Sequence, residues 1–136
     1  MIKKIKTVLM AGLVLFPTMV FTEIYSDKET KLSWQTITNN DKLSWNEATK
    51  YCQDLIYDGS DDWYLPNIYE LKSLVDYNKY NPAIKDKSID IKLDSSYWSS
   101  SLHIGRKSNV WVVDFKSGKN DWLHEEIKNY VLCVRK

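Results

Sequence analysis

Two cysteines, Cys52 and Cys133, stand 81 positions apart in a chain that opens like an export signal. Met1-Ile2-Lys3-Lys4-Ile5-Lys6 is basic, and the 16 residues from Thr7 to Thr22 carry no charge. A basic start followed by an apolar run is the pattern of a secretory signal. The run holds Pro17 and is shorter than the roughly 20 apolar residues that span a bilayer. Residues 1–22 are therefore expected as a signal peptide, with a retained anchor as second choice. Cleavage is expected before Glu23, and Ile24-Tyr25-Ser26 offers another set of side chains for it. An exported chain meets an oxidising periplasm or exterior, where an even pair of cysteines reads as a disulfide. Two buried free thiols are the alternative for a chain that stays in the cytosol. Closing so long a loop removes about 4.5 kcal/mol of unfolded-state entropy in the chain-entropy model. Any fold must then bring the middle and the end of the chain together.

The chain's 136 residues suit one domain. Loss of Lys3, Lys4 and Lys6 leaves 16 basic against 18 acidic residues, a net of −2. That balance argues against general nucleic-acid binding. Residues 23–30 are polar and read as a loose lead-in, with the domain proper over 31–136. Leu32–Thr38 alternates around Trp34 and reads as a strand. Ser44-x-x-Glu47 is a capping box that opens a helix, and Trp45, Ala48, Cys52, Leu55 and Ile56 follow as one apolar stripe. Asp58-Gly59 is expected to end that helix. A second helix follows Leu65-Pro66, with Asn67 as N-cap and Ile68, Leu71, Leu74 and Val75 as its buried face. Residues 78–94 read as a long surface loop. Tyr97–Ser101, Asn109–Phe115, Asn120–Leu123 and Tyr130–Arg135 read as strands, the middle two joined by a turn at Lys116–Lys119. Cys52 lies on the helix stripe and Cys133 shares a strand face with Val131, so both sulfurs point inward.

Six motifs occur in order: Leu32-Ser33-Trp34-Gln35; Ser44-Trp45-x-x-Ala48-x-x-Tyr51-Cys52-x-x-Leu55; Asp62-Trp63-Tyr64-Leu65-Pro66-Asn67-x-x-Glu70-Leu71; Tyr97-Trp98-Ser99-Ser100-Ser101; Val110-Trp111-x-Val113-Asp114-Phe115; and Tyr130-Val131-x-Cys133-Val134-Arg135. Together they resemble the Lcl C-terminal domain family, the globular end of certain bacterial collagen-like adhesins. The resemblance implies an α+β, C-type-lectin-like fold, with two helices around a short twisted antiparallel sheet. It also implies a disulfide from the first helix to the last strand, in agreement with Cys52 and Cys133. It implies an exported binding module in adhesion, since its best-known members look like adhesins for sulfated polysaccharide. With only four glycines the chain has no collagen-like tract, so the multivalency of such a stalk is missing.

The candidate ligand contacts lie between His103 and Trp122. Trp34, Trp45, Trp63 and Trp98 fall at core spacing. Trp111 and Trp122 flank the hairpin turn, either as half-buried sheet residues or as indoles that stack on a sugar ring. His103, Arg106 and Lys107 form a basic loop, and Lys116 and Lys119 sit on the turn. They are either solvated charges or holders of sulfate or carboxylate. The partner expected is a polysaccharide or a surface protein, with no cofactor. Asp58, Asp61 and Asp62 could hold calcium, but their spacing fits no calcium loop, and the Glu-Pro-Asn triplet of sugar-binding C-type lectins is missing, so no metal site is expected. An enzyme is not expected. The chain has no His-Glu-x-x-His, and Ser99–Ser101 lacks a glycine-flanked elbow. The sulfatase-activating oxidases, of related fold, need reactive cysteines that this chain commits to its disulfide. A structural or assembly subunit of an envelope complex is the alternative to a binding module.

Overall fold

The computed structural model describes residues 23–136, and the export signal expected over 1–22 lies outside them. The elements run β1 (Ile24–Ser26), β2 (Ser33–Gln35), α1 (Trp45–Asp54), α2 (Ile68–Lys72), β3 (Tyr97–Leu102), β4 (Asn109–Asp114), β5 (Lys119–His124) and β6 (Val134–Arg135). The strands make two antiparallel three-stranded sheets, ordered β1-β2-β6 and β3-β4-β5, rather than the single sheet expected.

The lead-in expected over 23–30 is part of the fold. Ile24, Tyr25 and Ser26 pair with Gln35, Trp34 and Ser33. Asp27 is buried and accepts the Glu29 amide at 2.9 Å, which turns the chain back toward β2. A short polar strand carries too few apolar residues to show period 2; pairing with β2 decides it.

Both capping boxes form as the sequence indicates. Ser44 and Glu47 exchange side-chain and backbone bonds at the start of α1, as do Asn67 and Glu70 at the start of α2. α1 stops earlier than expected. Leu55 turns extended and donates its N–H to the Cys52 carbonyl. Helical spacing ends there, so Ile56, expected on the buried stripe, is 77% exposed. Asp58-Gly59 instead makes a tight turn at positive φ, closed by Tyr57 and Ser60 exchanging backbone bonds at 3.0 and 3.1 Å.

The β3-β4-β5 sheet is buried on both faces near its centre. Tyr97, Val113 and Phe115 join one apolar cluster with Trp34, Ile68, Leu71 and Leu132. Trp98, Val110 and Val112, on the other face, join Ala48, Trp63, Leu65, Val131 and both cysteines. Cys52 and Cys133 are bonded and fully buried within this second cluster. The final strand is shorter than its sequence suggests. Only Val134–Arg135 pairs as β6, while Tyr130–Cys133 is buried all the same. Gln35 explains the break: its side chain accepts the Cys133 amide at 2.7 Å, so a side chain replaces a ladder carbonyl. Segment 78–94, expected at the surface, buries Ala83, Ile84 and Ile89. It is tied to the core by the Ala83 amide on the Phe115 carbonyl at 2.7 Å and the Asp90 amide on that of Thr36 at 2.9 Å.

Candidate functional site

The β4–β5 hairpin sets up the site. Its register pairs Trp111 with Trp122, Val113 with Asn120 and Asn109 with His124 on one face. Val110–Leu123, Val112–Asp121 and Asp114–Lys119 pair on the other. The two indoles meet edge to face, with centroids 5.3 Å apart. His103, at the end of β3, lies against both, 5.0 Å from Trp111 and 4.5 Å from Trp122. Arg106 places its guanidinium over Trp122 at 5.8 Å.

The loop from β3 to β4 turns within six residues. The His103 amide donates to the Asn109 carbonyl at 2.9 Å, and the Asn109 amide returns a bond to the Arg106 carbonyl at 3.2 Å. α2 is tethered beside it. The Ser100 amide donates to the Pro66 carbonyl at 2.8 Å, and the Ile68 amide to the Ser101 hydroxyl at 2.9 Å. α2 turns Ile68 and Leu71 inward, which leaves Tyr69 outside at 80% exposure. Between α2 and the loop lies a groove of about 360 Å³, lined by Tyr69, Lys72, His103, Ile104, Trp111 and Asn120 together with Ile68 and Gly105. No carboxylate lines it.

The expected contact set divides. Arg106, Trp111 and Trp122 come together around His103. Lys107 is exposed on the same loop. Lys119 lies three positions from Trp122, about 10 Å along the strand, and pairs with Asp114 on the opposite face. Lys116 belongs to the turn, where its amide is held by the Asp114 carboxylate at 2.8 Å. Neither lines the groove. Trp122 is less available for stacking than its sequence position suggests, because His103 and Arg106 both lie against it.

Tyr69, Lys72, Ile104 and Asn120 were not singled out by the sequence. Tyr69 and Lys72 carry one signal: they are three apart on α2 and off its apolar stripe, so they share an outward face. Nothing in the sequence says that a groove lies beside that face. The other polar candidates are absorbed by the fold. Asp62 accepts from Nε and Nη2 of Arg135, at 2.6 and 3.0 Å, and Arg135 lies over Trp63. That guanidinium holds the Asp62 carboxyl below the usual range. Ser99 is buried and donates to the Trp111 carbonyl at 2.7 Å. Among the described residues, no group of three or more His, Cys, Asp or Glu is placed to hold a metal ion. No helix among them is long and apolar enough to cross a membrane.

The Lcl C-terminal domain family matches residues 23–135. The chain belongs to this family. The match begins at the residue before β1, so this Lcl C-terminal domain includes the strand that the sequence had placed in a lead-in. No curated protein matches the chain significantly.

Proposed function

We propose that this Lcl C-terminal domain is an exported, non-catalytic binding module with a C-type-lectin-like fold, and that its groove holds an anionic polysaccharide. One observation carries the reading: the groove walls offer an exposed aromatic ring, Tyr69, and a cation, Lys72, with no opposing carboxylate. A sugar polymer presents ring faces to the first and acidic groups to the second. The fold assignment is supported by the first and last strands sharing one sheet and by the disulfide from α1 to the C-terminal segment. Export is supported by that disulfide, since bonds of this kind persist in oxidising compartments.

A single groove gives weak binding, in the micromolar to millimolar range, and exposed charges make it fall as salt rises. The test measures binding of residues 23–136 to heparin and to neutral dextran at low and high salt. Heparin should bind, and more weakly at high salt. A Tyr69→Ala, Lys72→Ala variant should lose about tenfold, while Lys119→Ala should match wild type. A folded double variant that binds heparin as wild type does would remove the groove as the site. A second reading, an assembly subunit of an envelope complex, rests on the groove's apolar rim. Ile104 is fully exposed, and such a side chain suits a protein partner. Failure of every glycan to bind would favour it.

A further inference from the structure

We infer that His103 is a positioning residue whose neutral imidazole holds the groove's outer wall in place, so that acidification opens the site. The inference rests on the groove being the binding site. Three contacts single His103 out. Its ring lies against Trp111 and Trp122. Its Nδ1 accepts the Gly105 amide at 3.1 Å. The ring also packs directly on the Gly105 backbone, where a Cβ would meet the imidazole Cε1 at 3.3 Å. Gly105 and Ile104 form the groove wall that faces α2. One ring thus joins the hairpin's aromatic pair to the loop that closes the groove.

An Nδ1 that accepts a hydrogen bond places the neutral ring's proton on Nε2. When the second proton arrives, Nδ1 becomes a donor and faces the Gly105 N–H, donor to donor. The indoles can keep the imidazolium through their ring faces. Protonation therefore releases Gly105 and the Ile104 wall beside it, and leaves the ring and the backbone bonds that close the loop in place. Lys72 lies across the groove from His103, Arg106 and Lys107 share its loop, and Glu125 joins the far end of that loop through its amide on the Ser108 carbonyl at 2.9 Å. His124 is the other titratable group on the Trp122 face of β5, and its own Nδ1 accepts the Glu126 amide at 3.2 Å. Asp121 lies on the opposite face. Attraction alone would strengthen the hold on a polyanion as His103 charges. Loss of the loop anchor acts in the reverse direction.

The experiment compares wild type with His103→Asn, whose side chain can still accept the amide two residues on but does not titrate. Protection of the Gly105 amide against solvent exchange, corrected for its intrinsic pH dependence, is followed in the free protein from pH 8 to pH 5. Histidines change charge in this interval. Heparin affinity is measured over the same range. In wild type both protection and affinity should fall roughly three- to tenfold, the weight of one hydrogen bond. In His103→Asn, Gly105 protection should stay level. Gly105 protection that stays constant in wild type from pH 8 to pH 5 would overturn the proposal, whatever heparin does. So would a heparin affinity that rises on acidification in wild type. Lost protection with no heparin bound at any pH would remove the polysaccharide reading and leave the loop device standing.

Discussion

Trp63 shows how a single side chain ties distant segments. It is buried, donates its indole N–H to the Tyr57 and Ser60 carbonyls at 3.1 and 3.2 Å, and meets Tyr57 edge to face. Trp63→Ala leaves a cavity in the disulfide cluster and takes the indole donor from both carbonyls, which keep only the amides they exchange with each other. It should cost about 3–5 kcal/mol in urea unfolding, and a loss under about 1 kcal/mol would place Trp63 outside the core. Glu47 gives a pH-dependent case. Its carboxylate accepts from Lys128 and from the Ser44 amide, which together lower its pKa to about 2. A folded pKa below the unfolded value stabilises the fold above the unfolded pKa. That contribution is lost as pH falls through the folded pKa. The stability advantage of wild type over Glu47→Gln should therefore be full at neutral pH and shrink between about pH 4.5 and pH 2. A difference in urea midpoint that stays constant across that window would contradict the assignment.

At the scale of elements, capping chemistry located both helix starts, because a capping box is local and needs only residues three apart. The end of α1 was not legible. Ile56 continues the helical stripe, and only the packing of Leu55 and the Tyr57–Ser60 turn decides that the helix has already stopped. The disulfide links α1 to the chain end across the second apolar cluster. Thiol titration of the purified protein without reductant should find no free thiol. Removing the bond with a Cys52→Ala, Cys133→Ala variant should cost about 2–5 kcal/mol.

The whole molecule constrains where the proposed export processing would cut. Glu23 lies at the edge of β1, and its carbonyl accepts both the Thr36 hydroxyl at 2.7 Å and the Tyr57 hydroxyl at 2.8 Å. Cleavage after Thr22 leaves β1 and these bonds intact. Cleavage after Ser26 deletes β1 entirely and bares one edge of β2. Mass spectrometry of the mature protein should therefore find Glu23 at the N-terminus. A start at Asp27 would show that the β1-β2-β6 sheet functions with two strands.

The sequence alone determined the helix starts, the disulfide partners and three core tryptophans, Trp34, Trp63 and Trp98, while Trp45, expected with them, is only half-buried at the edge of the second cluster. Each is written in local spacing: a cap three residues from its partner, an apolar stripe, two cysteines on inward faces. It also placed Trp111 and Trp122 near each other, because a hairpin turn at Lys116–Lys119 sets cross-strand register. Tertiary structure decided the rest. The register put Lys119 on the face away from Trp122, since side chains alternate along a strand. The docking of α2 against β3 brought Tyr69 and Lys72 opposite His103. The groove exists only where segments more than 30 residues apart meet, and no local pattern records which faces will face each other.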